Sequence, residues 1–158
     1  AQSGAVGVVR RDPMAMKPFC GYNFGNYWSH WLEMGKRVPN MPKIFHVNWF
    51  RQDENGKFMW PGFGDNMRVL DWILERCRGN APAVETPIGY LPAENSLNIT
   101  GLDIDDSIVN RLCAVDPQAW LNEIGEIETY LQSFGDQLPE ALQHEVSKVR
   151  DDLQAASG

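Results

Sequence analysis

The sequence predicts one domain of mixed α/β class, and three observations lead to this prediction. The chain has 158 residues and 43% apolar content, which is enough for a single core. Short β-branched and aromatic runs in the first part are typical of strands. Apolar residues later in the chain return at three- and four-residue intervals, which is typical of amphipathic helices.

The first predicted elements are two strands and a helix. The β-branched run Ala5–Val9 predicts a strand. Aromatic residues at helical intervals predict a helix from Phe24 to about Arg37, ended before Pro39. The run Lys43–Phe50 is the clearest strand pattern of the chain.

A tight turn should follow this second strand. Asn55 and Gly56 tolerate the positive φ angles of such a turn, so we expect Lys57–Trp60 to fold back as a partner strand. This pairing would bring Phe50 and Phe58 close to one another.

The next predicted helix starts after a glycine-rich loop. Asp65 or Asn66 can cap it, and Gly79 closes it. Its apolar stripe consists of Val69, Leu70, Ile73, Leu74 and Cys77.

The remainder is predicted to be irregular from 80 to 115, apart from a short strand at Ile88–Leu91. A helix then starts at Asp116 and Pro117, and another follows Pro139. The chain is therefore expected to end in an acidic helical hairpin.

The charge distribution argues against two classes of partner. The net charge is −7, with 14 Lys and Arg against 21 Asp and Glu, so neither nucleic acid bound through its phosphates nor a membrane surface is an expected partner. Before Pro92 the chain carries 11 basic and 8 acidic residues, and after it 3 basic and 13 acidic. The two parts are therefore expected to have different roles.

The cysteines and the hydropathy pattern indicate a cytoplasmic protein. Cys20, Cys77 and Cys113 are widely separated and show no CxxC spacing, so a disulfide scaffold or zinc knuckle is not expected. No apolar run approaches the roughly 18 residues of a membrane-spanning helix.

A concentration of phenylalanines on predicted turns is the candidate site. Phenyl rings stack on a flat heteroaromatic base, and a neutral amide offers both the donor and the acceptor that suit guanine. From spacing alone, a small hairpin core formed by Phe50, Phe58 and Phe63 is the favoured alternative. The candidate binding residues are Phe50, Phe58, Phe63, Gly64, Asp65 and Asn66.

Four ordered motifs resemble one enzyme family. They are PFCGYNFG at Pro18–Gly25, PKIFHVNWF at Pro42–Phe50, WPGFGDN at Trp60–Asn66 and TPIGY at Thr86–Tyr90. Together they closely resemble the C-terminal part of the GTP-dependent phosphoenolpyruvate carboxykinases. The resemblance is strong over residues 8 to 92 and fades to a helical pattern beyond about Gly101.

The resemblance implies roles for the candidate residues. Phe50 and Phe63 would sandwich the guanine, Phe58 would line the same pocket, and Asn66 with the Phe63–Asn66 backbone would read the base edge. It also implies that the chain is part of the nucleotide-binding C-terminal lobe of the carboxykinase fold.

The resemblance divides the chain into two regions. Residues 1–92 would belong to the nucleotide-binding lobe, with the end of a mobile lid at 1–11 and the guanine clamp at 45–66. Residues 93–158 would form an irregular connection and the C-terminal helices.

The family reaction implies partners beyond this sequence. It converts oxaloacetate and GTP to phosphoenolpyruvate, carbon dioxide and GDP in gluconeogenesis, with Mn²⁺ and Mg²⁺. The sequence contains no GxxxxGK[ST] motif and no matching manganese or substrate-arginine segment. We therefore expect no catalytic residue and no metal ligand here, a missing N-terminal part of the same enzyme as partner, and no activity of the fragment alone.

Two other functions fit parts of the pattern. One is a noncatalytic aromatic module that stacks nucleotides or single-stranded nucleic acid, which the acidic charge disfavours. The other is a protein-interaction module built on the acidic helices of residues 116 to 155.

Overall fold

The structure is a computed structural model that describes residue 11 and residues 16–157. Within these residues it contains five α-helices and one antiparallel two-stranded sheet, in agreement with the mixed class predicted from the sequence. The elements are α1 (Phe24–Arg37), α2 (Asn66–Arg78), β1 (Ala83–Thr86), β2 (Gly89–Pro92), α3 (Asp106–Cys113), α4 (Pro117–Gln132) and α5 (Glu140–Ala155). The strand predicted at Ala5–Val9 lies outside the described residues.

The chain divides into two compact units. Among the described residues, the first comprises residue 11 and residues 16–41 and 116–157, and the second comprises residues 42–115. The first unit contains α1, α4 and α5, and the second contains α2, the sheet and α3.

An aromatic cluster forms the core of the first unit. The buried rings of Phe24, Trp28 and Phe134 contact one another edge to face, with centroids 5.2 Å apart for Phe24 and Trp28 and 4.8 Å apart for Trp28 and Phe134. The Asn23 amide connects the two chain segments, since its oxygen accepts from the Gly25 amide at 2.8 Å and its nitrogen donates to the Phe134 carbonyl at 3.2 Å. The start of α1 is thereby fixed against the residues that follow α4.

The helices α4 and α5 pack against each other in the same unit. Asp116 caps α4 by accepting from the amides of Gln118 and Ala119, and Pro117 occupies the first turn, as predicted. Arg150 of α5 pairs with Glu128 of α4 at 2.6 Å. The cap at Asp116 fixes the start of α4, and the ion pair joins α4 to α5, so both predicted helices are present.

The second unit is built around α2 and Trp72. The Trp72 side chain is buried and contacts the Phe45 ring, and the Lys43 ammonium donates to the Arg76 carbonyl at 3.0 Å. Gly79 ends α2, as predicted, and its φ of +84° is the left-handed conformation typical of a helix C-cap.

The apolar stripe predicted for α2 is largely wrong. Leu70, Leu74 and Cys77 are exposed, whereas Trp72 lies on the buried face. The large indole ring decides the orientation of this short helix within its unit because it buries the greatest apolar area. An apolar face of α2 therefore stays uncovered in this chain.

Two predictions for the central region need correction. Residues 43–48 form no strand, since the sheet of residues 16–157 consists of β1 and β2 and gives them no partner strand. The Asn48 side chain accepts from the Phe50 amide at 3.0 Å, and a turn forms at residues 49 and 50. The partner strand at 57–60 reduces to one isolated bridge between Gln52 and Phe58. The extended segments lack the further pairing that a stable two-stranded ribbon needs.

The segment predicted to be irregular contains more structure than expected. The strand predicted at Ile88–Leu91 is present as β2, but it pairs with β1, which the sequence analysis missed. The helix α3 was also missed. Its N-cap is Asp105, whose carboxylate accepts from the Ile108 amide at 3.1 Å.

Candidate functional site

A short turn organises the first part of the candidate site. Asp53 accepts hydrogen bonds on its carboxylate from the amides of Asn55 and Lys57, both at 2.9 Å. Gly56 has φ +77°, which confirms the turn predicted from the Asn-Gly pair. The turn places the Phe50 and Phe58 rings edge to face, with centroids 6.0 Å apart.

All three candidate phenylalanines present their rings to solvent. The exposed fractions are 72% for Phe50, 52% for Phe58 and 92% for Phe63. The buried residues of this segment are instead Met59 and Trp60. The alternative in which these rings form a hairpin core is therefore wrong for this structure.

The loop around Phe63 is held in a defined conformation. Gly62 has φ +136°, where a side chain would strain the backbone, and Phe63–Asp65 form a single 3₁₀ turn. The Asp65 amide donates to the Gly62 carbonyl and the Asn66 amide donates to the Phe63 carbonyl. The Phe63 ring thus projects from the turn that leads into α2.

The structure brings only some of the predicted site residues together. Phe50 contacts Phe58, but the ring contacts of residues 16–157 include none between Phe63 and either of them. Gly64, Asp65 and Asn66 continue directly from Phe63 into α2. The site therefore consists of a ring pair beside the turn and a separate ring at the helix start.

The polar side chains at the start of α2 are already engaged. The Asp65 carboxylate pairs with the Arg68 guanidinium at 3.3 Å, and the same guanidinium donates to the Asn98 carbonyl at 2.8 Å. The Trp60 indole donates to the Asn66 side-chain oxygen at 2.9 Å. Trp60 and Arg68 are site neighbours that the sequence analysis missed. The Asp65–Arg68 pair has the i,i+3 spacing of a helix-surface ion pair, whereas no spacing rule predicts the Trp60–Asn66 contact.

The turn that carries Phe58 should depend on pH. The hydrogen bond from the Lys57 amide, aided by that from Asn55, lowers the pKa of Asp53 below its ordinary value. Because the folded pKa is depressed, the stabilisation is complete above the unfolded pKa of about 3.9 and is lost as pH falls through the folded pKa. We expect the Asn55 and Lys57 amide NMR signals to move towards random-coil positions in that acidic range, because these two amides donate to the Asp53 carboxylate.

Asp53→Asn is the control for this pH dependence. Asparagine keeps an acceptor oxygen at the turn but does not titrate, so the two amide signals should lose their acid transition. A transition of unchanged midpoint in this variant would show that another group controls the turn.

Within residue 11 and residues 16–157, no group of three or more His, Cys, Asp or Glu side chains is placed to hold a metal ion. These side chains do not fit the Mn²⁺ and Mg²⁺ sites of the family reaction. No helix of the described part is both long and apolar enough to cross a membrane.

Comparison with known proteins identifies the class to which this fold and site belong. The family model described as the phosphoenolpyruvate carboxykinase C-terminal P-loop domain matches residues 1–152. A relative from Paenarthrobacter aurescens is 50% identical over 155 residues, which cover 97% of this chain and 26% of the relative. Relatives from Thermoplasma volcanium and Neocallimastix frontalis are 50% and 48% identical and match 95% and 99% of this chain.

These three relatives are all named phosphoenolpyruvate carboxykinase [GTP]. The chain belongs to the GTP-dependent phosphoenolpyruvate carboxykinase family and corresponds to a C-terminal portion of it. The resemblance inferred from the four sequence motifs is thereby confirmed. The chain spans about a quarter of the length of the curated relatives it matches.

Proposed function

We propose that this chain supplies the guanine-nucleotide-binding part of an enzyme that converts oxaloacetate and GTP to phosphoenolpyruvate, carbon dioxide and GDP. The observation that carries the proposal is the exposure of Phe50, Phe58 and Phe63 in the segment that leads to Asn66, in a chain of this family. Three large apolar rings exposed within one short segment are typical of a ligand site.

The exposed rings provide the surface for the base. Phe50 and Phe63 sandwich the guanine, and Phe58, already in contact with Phe50, lines the same pocket. Each stacked ring contributes on the order of 1 kcal/mol beyond area burial. Phe63 does not contact the other two rings, and a sandwich requires this, because the base has to lie between the Phe50 and Phe63 rings.

The start of α2 supplies the polar recognition. Asn66 reads the base edge, and Gly64 and Asp65 line it with their backbone. The Asp65 carboxylate does not compete with the nucleotide phosphates for cations, because Arg68 neutralises it. The residues in this binding role are Phe50, Phe58, Phe63, Gly64, Asp65 and Asn66.

The finer domain organisation follows the same proposal. Residues 1–92 belong to the nucleotide-binding lobe of the carboxykinase fold, with the guanine clamp at 45–66, and residues 93–158 form the connection and an acidic helical hairpin. The lid assigned to residues 1–11 lies outside the described residues except for Arg11. The Arg11 guanidinium forms ion pairs with Glu123 and Glu126 of α4.

Catalysis requires groups that this chain does not supply. Mn²⁺ and Mg²⁺, when bound, would neutralise negative charge on the substrates, and we place their ligands in the N-terminal part of the same enzyme. The chain carries no catalytic residue in this proposal and is inactive alone. The enzyme acts in the cytoplasm, in gluconeogenesis, without nucleic acid or membrane.

The uncovered face of α2 supports a partner within the same enzyme. Met67 is 66% exposed, and Leu70 and Leu74 lie beside it at helical spacing. Such an apolar helix face is stable in water only when another surface covers it. The N-terminal part of the enzyme is the proposed cover, and the isolated chain should therefore self-associate.

A hybrid enzyme, in which this chain replaces the matching part of a relative, tests the proposed function. This chain would replace the matching C-terminal quarter of the Paenarthrobacter aurescens enzyme, whose identity over the exchanged part is 50%. We expect the hybrid to form phosphoenolpyruvate from oxaloacetate with GTP and not with ATP, and the chain alone to form none. A folded hybrid without GTP-dependent activity, or turnover by the chain alone, would contradict the proposal.

A further inference from the structure

A buried indole fixes the orientation of the Asn66 amide. Trp60 is only 6% exposed, and its ring nitrogen donates to the Asn66 side-chain oxygen at 2.9 Å. Because an indole N–H can only donate, the atom of Asn66 that faces it has to be the oxygen. The amide nitrogen, with its two donors, is therefore turned away from Trp60.

The reverse orientation would be unfavourable. Rotating the amide by half a turn would place its N–H₂ against the indole N–H, and Trp60 would keep a buried donor without an acceptor. Within residues 16–157 the Asn66 nitrogen donates to no protein group. The side chain thus offers a donor, rather than an interchangeable donor and acceptor, to a bound molecule.

We propose that Trp60 is a positioning residue that holds the Asn66 amide with its donors towards the base, so that the site selects a 6-oxopurine over a 6-aminopurine. Guanine and hypoxanthine carry an acceptor oxygen at position 6, whereas adenine carries a donor amino group there. An amide that presents donors matches the first two and opposes the third. This inference rests on the proposed function, because it assumes that the base edge lies against Asn66.

The first test compares two tryptophan variants. Trp60→Phe keeps an aromatic ring and removes the donor that fixes Asn66. Trp72→Phe is the matched control, since Trp72 is equally buried at 6% exposure and its indole nitrogen has no hydrogen-bond partner in the described structure. Both variants lose the same atoms, so their packing effects should be comparable.

The readout is the dissociation constant for GMP, IMP and AMP, measured by NMR titration of the chain. These probes share the ribose and phosphate and differ only in the base. We expect Trp60→Phe to reduce the preference for GMP and IMP over AMP by about 10-fold, as loss of one oriented hydrogen bond implies. Trp72→Phe should leave that preference unchanged.

A second variant tests the orientation of the Asn66 amide without changing Trp60. Asn66→Asp has the same shape and keeps an acceptor for the indole, but it has no donor. We expect weaker binding of GMP and IMP and a relative gain for AMP, whose amino group the carboxylate accepts. Equal or tighter binding of GMP would overturn the inference, because it would show that the base is read by the oxygen.

Different results would contradict the positioning role of Trp60 and the proposed guanine-binding function. If the parent chain prefers GMP and a folded Trp60→Phe variant keeps the full preference, the positioning role is wrong and the guanine site stands. If the parent chain shows no preference for GMP over AMP, the proposed function itself fails and the inference falls with it.

Discussion

Replacing Gly25 with alanine should destabilise the first unit by about 3 kcal/mol, because the new methyl group overlaps the backbone. A Cβ built at Gly25 lies 2.3 Å from the Gln137 carbonyl oxygen and 2.7 Å from its carbon. A backbone group cannot move aside as a flexible side chain can. The Asn23 hydrogen bonds that fix the start of α1 would be disrupted at the same time.

Gly35→Ala is the matched control in the same helix. A Cβ at Gly35 meets nothing within 4 Å, so this change should stabilise the chain by roughly 1 kcal/mol through helix propensity. Urea unfolding followed by tryptophan fluorescence measures both free energies of unfolding. A Gly25→Ala variant as stable as the parent chain would show that α1 does not approach Gln137 closely.

Replacing Phe63 with alanine should reduce affinity for guanine nucleotides by about 5-fold or more and leave stability unchanged. The ring is 92% exposed, so its removal creates no cavity. Loss of one stacking face for a base costs roughly 1–3 kcal/mol. Affinity should be measured by titration with GDP, and stability by thermal unfolding.

Phe19→Ala is the control for this experiment. Phe19 is 87% exposed and belongs to the first unit, away from the proposed site residues in sequence. The change removes the same apolar area from the surface and should alter neither GDP affinity nor stability. Equal losses of affinity in both variants would indicate nonspecific adsorption rather than a base site.

The helices were the most predictable part of the fold. The boundaries of α1 were predicted because aromatic periodicity and Pro39 mark them, and α4 was predicted because Asp116 and Pro117 form a local start signal. These signals act over a few neighbouring residues, so the sequence displays them directly.

The wrong secondary-structure predictions arose where a missing partner strand or a side-chain hydrogen bond overrides the local sequence pattern. The strand predicted at Lys43–Phe50 is absent because this segment has no partner strand among residues 16–157, and at its end the Asn48 side chain accepts from the Phe50 amide. The helix α3 was missed because residues 80 to 115 were interpreted as irregular, whereas the Asp105 carboxylate caps a helix there. Such competing hydrogen bonds have no periodic signature.

The candidate site was predictable in composition but not in arrangement. The sequence indicated the phenylalanines and Asn66, yet the exposure of the rings depends on packing by Met59 and Trp60. The Trp60 contact with Asn66 joins side chains six residues apart across a loop, and periodicity gives no information about it. These features require the folded backbone of residues 50–66.

The central claim is that this chain recognises guanine by itself, and a fluorescence titration with GDP tests it most directly. Trp60 contacts Asn66 and lies 6.4 Å from Trp49 between ring centroids, so binding at the site should change their emission. We expect saturable quenching by GDP and none by ADP at the same concentrations. An equal response to both nucleotides, or no response to either, would contradict the claim while leaving the family membership intact.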